Sequence, residues 1–370
     1  MIKFYIVNTY NFSPITTKKI TMNTPLTKNK SKLPYYLLFF MAFYLNTPHA
    51  AEYENKTTAD GLGDNAVNRA YTGNGKIYVA TGGGLSISSD GGNTFINKTT
   101  ADGLGHNINM RVYVHNGVVY AATLGGLSVS TDGGNTFTTK PWNVHTGIIS
   151  NFVSGVYVDD EIMCVATNAG LSISTDGGNI FTSKDSADGL GHDYVYRVYV
   201  DNGKIYVATE GGLSISTDDG NTFTNKAIAN GLGHNIVKDV YVTSGVIYAA
   251  TSGGLSISTD GGNTFTNKTT ADGLGHNTVF AVYVTGGVIY AATRGGLSIS
   301  SDGGNTFINK TTADGLGLDA VLGIYVNGGK IYAATYGGLS MSTISTPISA
   351  SINLNSKEKP QFFSSKRAFQ

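Results

Sequence analysis

Cysteine is almost missing from this chain. Cys164 is alone among 370 residues, which excludes an intrachain disulfide and a thiolate framework for zinc or redox chemistry. It takes a place that the other repeats give to Tyr, so it reads as a buried packing residue rather than a nucleophile. Proline is scarce as well: seven residues beside 49 Gly, with no G-x-y period, exclude a collagen-like chain. Regular apolar segments, within a composition that is 41% apolar and only 14% charged, exclude general disorder. Basic groups are short where most of the chain lies. Positions 51–350 carry 15 basic and 24 acidic residues, net −9, a charge that repels nucleic acid.

Acidic residues are absent from positions 1–50, which hold six Lys. There, Lys28, Lys30 and Lys32 precede an apolar run from Leu33 to Leu45 and the exit Asn46-Thr47-Pro48-His49-Ala50-Ala51. This order predicts a secretory signal with cleavage near Ala50 or Ala51, and Met22 is an alternative start. The run is shorter than the about 20 residues of an ordinary membrane span, so the mature chain is expected to have none; a retained anchor is the alternative. An extracytoplasmic location, secreted or periplasmic, follows.

What the sequence does contain is a repeat. The Leu of a G-G-L-S-I-S segment recurs at Leu85, Leu127, Leu171, Leu213, Leu255, Leu297 and Leu339, spaced by 42, 44, 42, 42, 42 and 42 residues. The longer third unit holds two extra residues around Pro141-Trp142-Asn143-Val144-His145. Each unit has four runs rich in β-branched and aromatic residues, separated by Gly, Asn and Asp. Four short strands in about 42 residues is the size of a propeller blade. The fold expected is all-β, a seven-bladed β-propeller of four-stranded blades spanning 51–343, followed by a flexible polar tail at 344–370. Phase predicts closure: Tyr53-Glu54-Asn55-Lys56 matches the outer strand T-F-x-N-K but precedes the first inner strand, and nothing equivalent follows Ser342. The N-terminal strand is therefore expected to complete the last blade and close the ring.

Between the third and fourth strands lies Ser88-Ser89-Asp90-Gly91-Gly92-Asn93-Thr94-Phe95, repeated around Asp132, Asp176, Asp218, Asp260 and Asp302. It resembles the Asp box, or BNR repeat, S-x-D-x-G-x-T-W/F, with Ile180 in place of Thr and the pair Asp218-Asp219 as departures. That family includes sialidases, sortilin-type receptors and photosystem II assembly factors. The G-G-L-S-I-S segments are also similar to propeller repeats of bacterial sensors. The resemblance implies that these six Asp are structural and lie away from any ligand. Six equivalent turns are not six active sites, and each carboxylate can instead accept local N–H bonds.

Strand parity puts the six Asp turns on one face and the T-x-G-G turns and A-D-G-L-G-H-N connections on the other, where a ligand funnel is expected. Comparison between repeats shows a few columns that change at every blade. One reads Gly82, Leu124, Asn168, Glu210, Ser252, Arg294 and Tyr336. Another reads Asn68, Met110, Ser154, Tyr196, Lys238, Phe280 and Leu322, and the next Arg69, Arg111, Gly155, Arg197, Asp239, Ala281 and Gly323. The candidate ligand site is Arg69, Arg111, Arg197, Tyr194, Tyr196, Glu210, Lys238, Asp239, Phe280, Arg294 and Tyr336. The competing reading is unconstrained surface.

No catalytic residue, metal or cofactor is assigned. His106, His192, His234 and His276 tempt a metal reading, but blades hold them apart, and Asp64, Ser150 and Leu318 interrupt the ring. Near-identical blades suit a non-enzymatic binding or assembly module, monomeric, with a glycan, peptide or envelope protein as ligand. One alternative is a sialidase-like glycoside hydrolase, in which the three Arg would mimic an arginine cluster and Tyr194, Tyr196 and Glu210 a Tyr/Glu pair. No R-I-P motif accompanies them. A second alternative is an extracytoplasmic sensor propeller. The N-K-T sequons at Asn55, Asn97, Asn267 and Asn309 matter only in a glycosylating host.

Overall fold

The computed structural model describes residues 52–140 and 147–344. The N-terminal segment, the Pro141–His145 insertion and the tail beyond Ile344 lie outside the described residues. Among the described residues, 28 strands form seven four-stranded antiparallel sheets, the blades of a β-propeller. Blade 1 shows the plan, with strands Val67–Gly73, Lys76–Thr81, Gly84–Ser88 and Ile96–Lys98 running from the axis outward.

The first hairpin of six blades turns on two left-handed residues. Asn74-Gly75, Asn116-Gly117, Asn202-Gly203, Ser244-Gly245, Gly286-Gly287 and Gly328-Gly329 all have positive φ, the requirement of a type I′ turn. Blade 3 departs, with Asp159 Oδ1 accepting the N–H groups of Glu161 and Ile162 instead.

The ring closes as its phase predicts. Glu54–Lys56 pairs antiparallel with Gly338–Thr343, setting Glu54 opposite Met341 and Lys56 opposite Leu339. Tyr53 also replaces a box Phe. Its N–H bonds to the Asp314 carbonyl at 3.1 Å, as the N–H of Phe95 does to Asp60 at 2.9 Å, and its side chain is buried.

The core is distributed between blades. Tyr78, Ala80, Leu85 and Ile87 of blade 1 pack on Leu104, Val112, Val119 and Phe137 of blade 2. The same arrangement crosses the seam, where Tyr332, Leu339 and Met341 of blade 7 meet Leu62, Val67 and Phe95 of blade 1. Each sheet is thus covered on both sides, which is why its strands are apolar on both faces. Cys164 is fully buried in one of these clusters, and burial pushes its thiol well up, as expected of a packing residue.

The six Asp turns are satisfied within themselves. Asp90 Oδ1 accepts the N–H groups of Asn93 and Thr94, both at 3.0 Å, while the hydroxyls of Thr94 and Ser88 donate at 2.7 and 2.8 Å. Gly92 at φ 98° completes the turn, and a Cβ there would lie 2.6 Å from Met341 Cε of the adjoining blade. At Asp176 the Thr hydroxyl is lost to Ile180, whose side chain is 66% exposed.

Candidate functional site

The face assignment rests on contacts. Lys76, in the first hairpin of blade 1, donates to the Gly133 carbonyl in the Asp turn of blade 2 at 2.9 Å. At the opposite end, the Gly82 N–H bonds to the Ala66 carbonyl at 3.0 Å, tying the second turn to the connection.

Each connection is folded locally. Asp64 Oδ1 accepts the Ala66 N–H at 2.8 Å, and the Nδ1 atoms of His106, His192, His234 and His276 accept the N–H two residues onward at 2.8–2.9 Å. Ser150 Oγ does the same for Phe152 at 3.1 Å. The His column is therefore a set of turn acceptors. No group of three or more metal-ligating side chains occurs among the described residues. The sequon amides are also engaged: Asn55, Asn97, Asn267 and Asn309 donate to Gly carbonyls at 2.7–2.9 Å.

The innermost strands begin with a bulge. In blade 1, Val67 pairs with Thr81 and Arg69 with Ala80, leaving Asn68 as the extra residue. The same shift occurs at Met110, Ser154, Tyr196, Lys238, Phe280 and Leu322. A bulge re-aims the side chains beside it, and here it brings the next column to the axis. Arg69, Arg111, Arg197 and Asp239 line one cavity of about 190 Å³. Asp239 bonds to the Arg69 guanidinium, lies 3.4 Å from Arg197 Nε and 3.8 Å from an Arg111 Nη. All four side chains are between 5 and 18% exposed, so they are not unconstrained surface.

Charge and burial compete in this cluster. Burial pushes the Asp239 carboxyl up, but Arg69, Arg111 and Arg197 outweigh it and hold the group below its ordinary value. Burial also lowers Arg111, and repulsion from Arg69 and Arg197 adds to that effect, with Asp239 only partly offsetting it.

Two residues further along each innermost strand comes a column that the sequence comparison passed over because it does not vary. Tyr71, Tyr113, Tyr157, Tyr199, Tyr241, Tyr283 and Tyr325 form a closed girdle around the axis, with neighbouring ring centroids 4.6–5.8 Å apart. These seven phenols line the same cavity as the arginines.

A second group gathers beside the cavity, on blades 3 to 6. The Lys238 Nζ sits 5.2 Å from the Tyr196 ring centroid and 5.7 Å from that of Phe280. Tyr194 packs on Tyr196 at 4.8 Å, Phe152 approaches Tyr194 at 6.0 Å, and the Tyr196 hydroxyl donates to Glu210 at 3.5 Å. Burial and the Glu210 charge push Tyr196 up to about 12. Of the predicted site, Arg294 and Tyr336 are exposed and, among the described residues, take no part in the hydrogen bonds, ion pairs or ring contacts of either group. Phe152 belongs with the site by contact but is absent from the predicted set.

No protein-family model matches the chain, and a search of curated proteins finds no match. Solved structures do share the fold. The extracellular domain of the hybrid two component system BT3049 from B. thetaiotaomicron is 21% identical with a TM-score of 0.69, over 80% of this chain and 42% of that one. PorZ, a surface component of the type-IX secretion system of Porphyromonas gingivalis, is 16% identical with a TM-score of 0.60, over 77% and 47%. YCF48 bound to D1 peptide is 12% identical with a TM-score of 0.61, over 80% and 98%. At these identities the likeness establishes the fold: this chain is a seven-bladed β-propeller, spanning 42% of the BT3049 chain.

Proposed function

We propose that the chain is an extracytoplasmic, non-enzymatic binding or assembly module that holds a glycan, peptide or envelope protein at the connection face of its propeller. One observation carries this reading. Two columns that differ from blade to blade, those of Arg69 and Tyr196, supply the axial cluster and the aromatic group beside it, while the Asp turns, identical in plan, build the frame. The aromatic group of Tyr194, Tyr196 and Phe280, with Lys238 and Glu210 beside it, offers stacking surface and polar groups suited to a sugar or an extended peptide. Similar propellers support it: YCF48 holds a D1 peptide, and PorZ is a bacterial surface component.

The test is a screen of residues 52–370 on a glycan array and a displayed peptide library. A selected ligand should be lost by Tyr196→Ala or Phe280→Ala and kept by Asp132→Asn on the opposite face. Retention in both rim variants would contradict the proposal.

A single contact favours a second reading, the glycoside hydrolase. Tyr196 and Glu210 form a phenol–carboxylate pair, as a Tyr nucleophile activated by a carboxylate requires. Against it, Asp239 is bound to Arg69 and unsuited to proton transfer. Turnover of an aryl sialoside, abolished by Tyr196→Phe, would establish this second reading in place of the first.

A further inference from the structure

Charge at the axis does not balance. Arg69, Arg111 and Arg197 bring three positive charges to a cavity of about 190 Å³, against the one carboxylate of Asp239. A guanidinium does not shed its proton, so an excess of +2 remains at the axis, a charge that an anion would neutralise. The donors are there. Arg197 Nε is buried and makes no hydrogen bond, only an ionic approach to Asp239 at 3.4 Å, and the ionic contact of Arg111 among the described residues is the 3.8 Å approach to the same carboxylate. Burial pushes the phenols of Tyr71, Tyr113 and Tyr283 above their ordinary value, so they remain protonated and able to donate.

Space has been cleared in the same column. A Cβ at Gly323 would fall 2.6 Å from Arg69 Cδ and 2.7 Å from the Asn68 carbonyl oxygen. The glycine of blade 7 thus lets the Arg69 side chain of its neighbour pass toward Asp239. The cavity holds the volume of several waters, at about 30 Å³ each, enough for a small hydrated anion.

We infer that this cavity binds one doubly charged tetrahedral oxyanion, of phosphate or sulfate type, between Arg69, Arg111 and Arg197, with girdle phenols as further donors. The charge of such a group matches the excess, and donors arranged around an axis suit a tetrahedron better than a planar carboxylate. The net −9 of positions 51–350 opposes a polyanion, so the ligand is a single free anion or one anionic group on a larger molecule. This inference rests on the axial opening being a binding site, yet it stands or falls without any glycan or peptide being found.

Isothermal titration of the full chain with sulfate and phosphate, beside acetate and chloride at matched ionic strength, tests it. The expected result is one site per chain, with either dianion held at least about tenfold more tightly than acetate. Arg111→Gln, which removes charge-assisted donors, should weaken sulfate about tenfold or more. Asp239→Asn, which raises the excess to +3, should tighten it several-fold. A purely structural cluster would give no such opposite signs. Should Arg111→Gln fail to fold, Arg111→Lys and Asp239→Asn carry the comparison. A phosphomonoester binding as tightly as phosphate assigns the group to a larger ligand; retention of phosphate alone assigns a free anion. No single-site binding by the wild type, acetate held as tightly as sulfate, or sulfate affinity unmoved by Asp239→Asn would overturn the inference.

Discussion

At the hairpin end of the ring, six Ser-x-Asp turns are near copies of one another, and each carboxylate is satisfied inside its own turn. At the connection end, Arg69, Arg111, Arg197 and Asp239 share one column, differ between blades, and make their ionic contacts between blades, in one case over 170 residues of sequence. Local satisfaction makes a unit that can be copied, and pairing between blades makes a place that cannot. The ring uses the first in six of its seven blades and holds the second once. That division is why the repeated Asp turns mark scaffold, while the axial cavity combines a column that departs from repetition with the repeated tyrosines.

The sharpest way to break the comparison is to open the ring on which both ends depend. Deleting residues 52–58 leaves the last blade without its outer strand and without buried Tyr53. The melting temperature should fall by more than about 10 °C, measured by circular dichroism, since several kcal/mol are lost and each shifts a domain of this size by about 2–4 °C. Phe95→Ala damages only the hairpin end: denaturant unfolding should show a loss of about 3–5 kcal/mol, with anion affinity unchanged. Asp239→Asn does the reverse. It leaves Arg69 without its partner and should cost about 3 kcal/mol in the anion-free protein, partly recovered on adding sulfate.

Acid gives the smallest effect. Backbone and hydroxyl donors from Thr222 and Thr306 hold Asp218 and Asp302 at about 2, below the ordinary carboxylate value of 3.8. A carboxyl depressed on folding contributes stability that is complete above its unfolded value and lost as pH falls through the folded one. The stability gap between wild type and Asp302→Asn should therefore be constant above about pH 5 and shrink toward pH 2. A gap that persisted at pH 2 would detach the turn carboxylates from stability.

Much of the fold was legible because closure leaves a mark in phase: the lone outer strand at Tyr53–Lys56 has no inner strand before it. The variable columns were legible too, since seven aligned units expose what differs. The tyrosine girdle was not. An identical residue in each repeat reads as packing within a blade, and only the axis brings Tyr71 against both Tyr113 and Tyr325. Nor did the sequence announce the pairing of Arg69 with Asp239, four blades apart in chain order, because contact across a ring has no spacing to betray it. The bulge at Asn68 decides which column faces inward, and it is a matter of register rather than composition. Arg294 and Tyr336 mark the converse limit: variability alone placed them in the candidate site, and the structure leaves both exposed.

The central claim is that one end of the axis is a built anion site while the six Asp turns are frame. A crystal structure grown in selenate, with data collected at the selenium edge, tests this most directly. The account predicts one dominant anomalous peak on the axis, within hydrogen-bonding distance of Arg69, Arg111 and Arg197 and beside the tyrosine girdle. An axis without anomalous density, in crystals whose surface lysines do carry selenate, would contradict it.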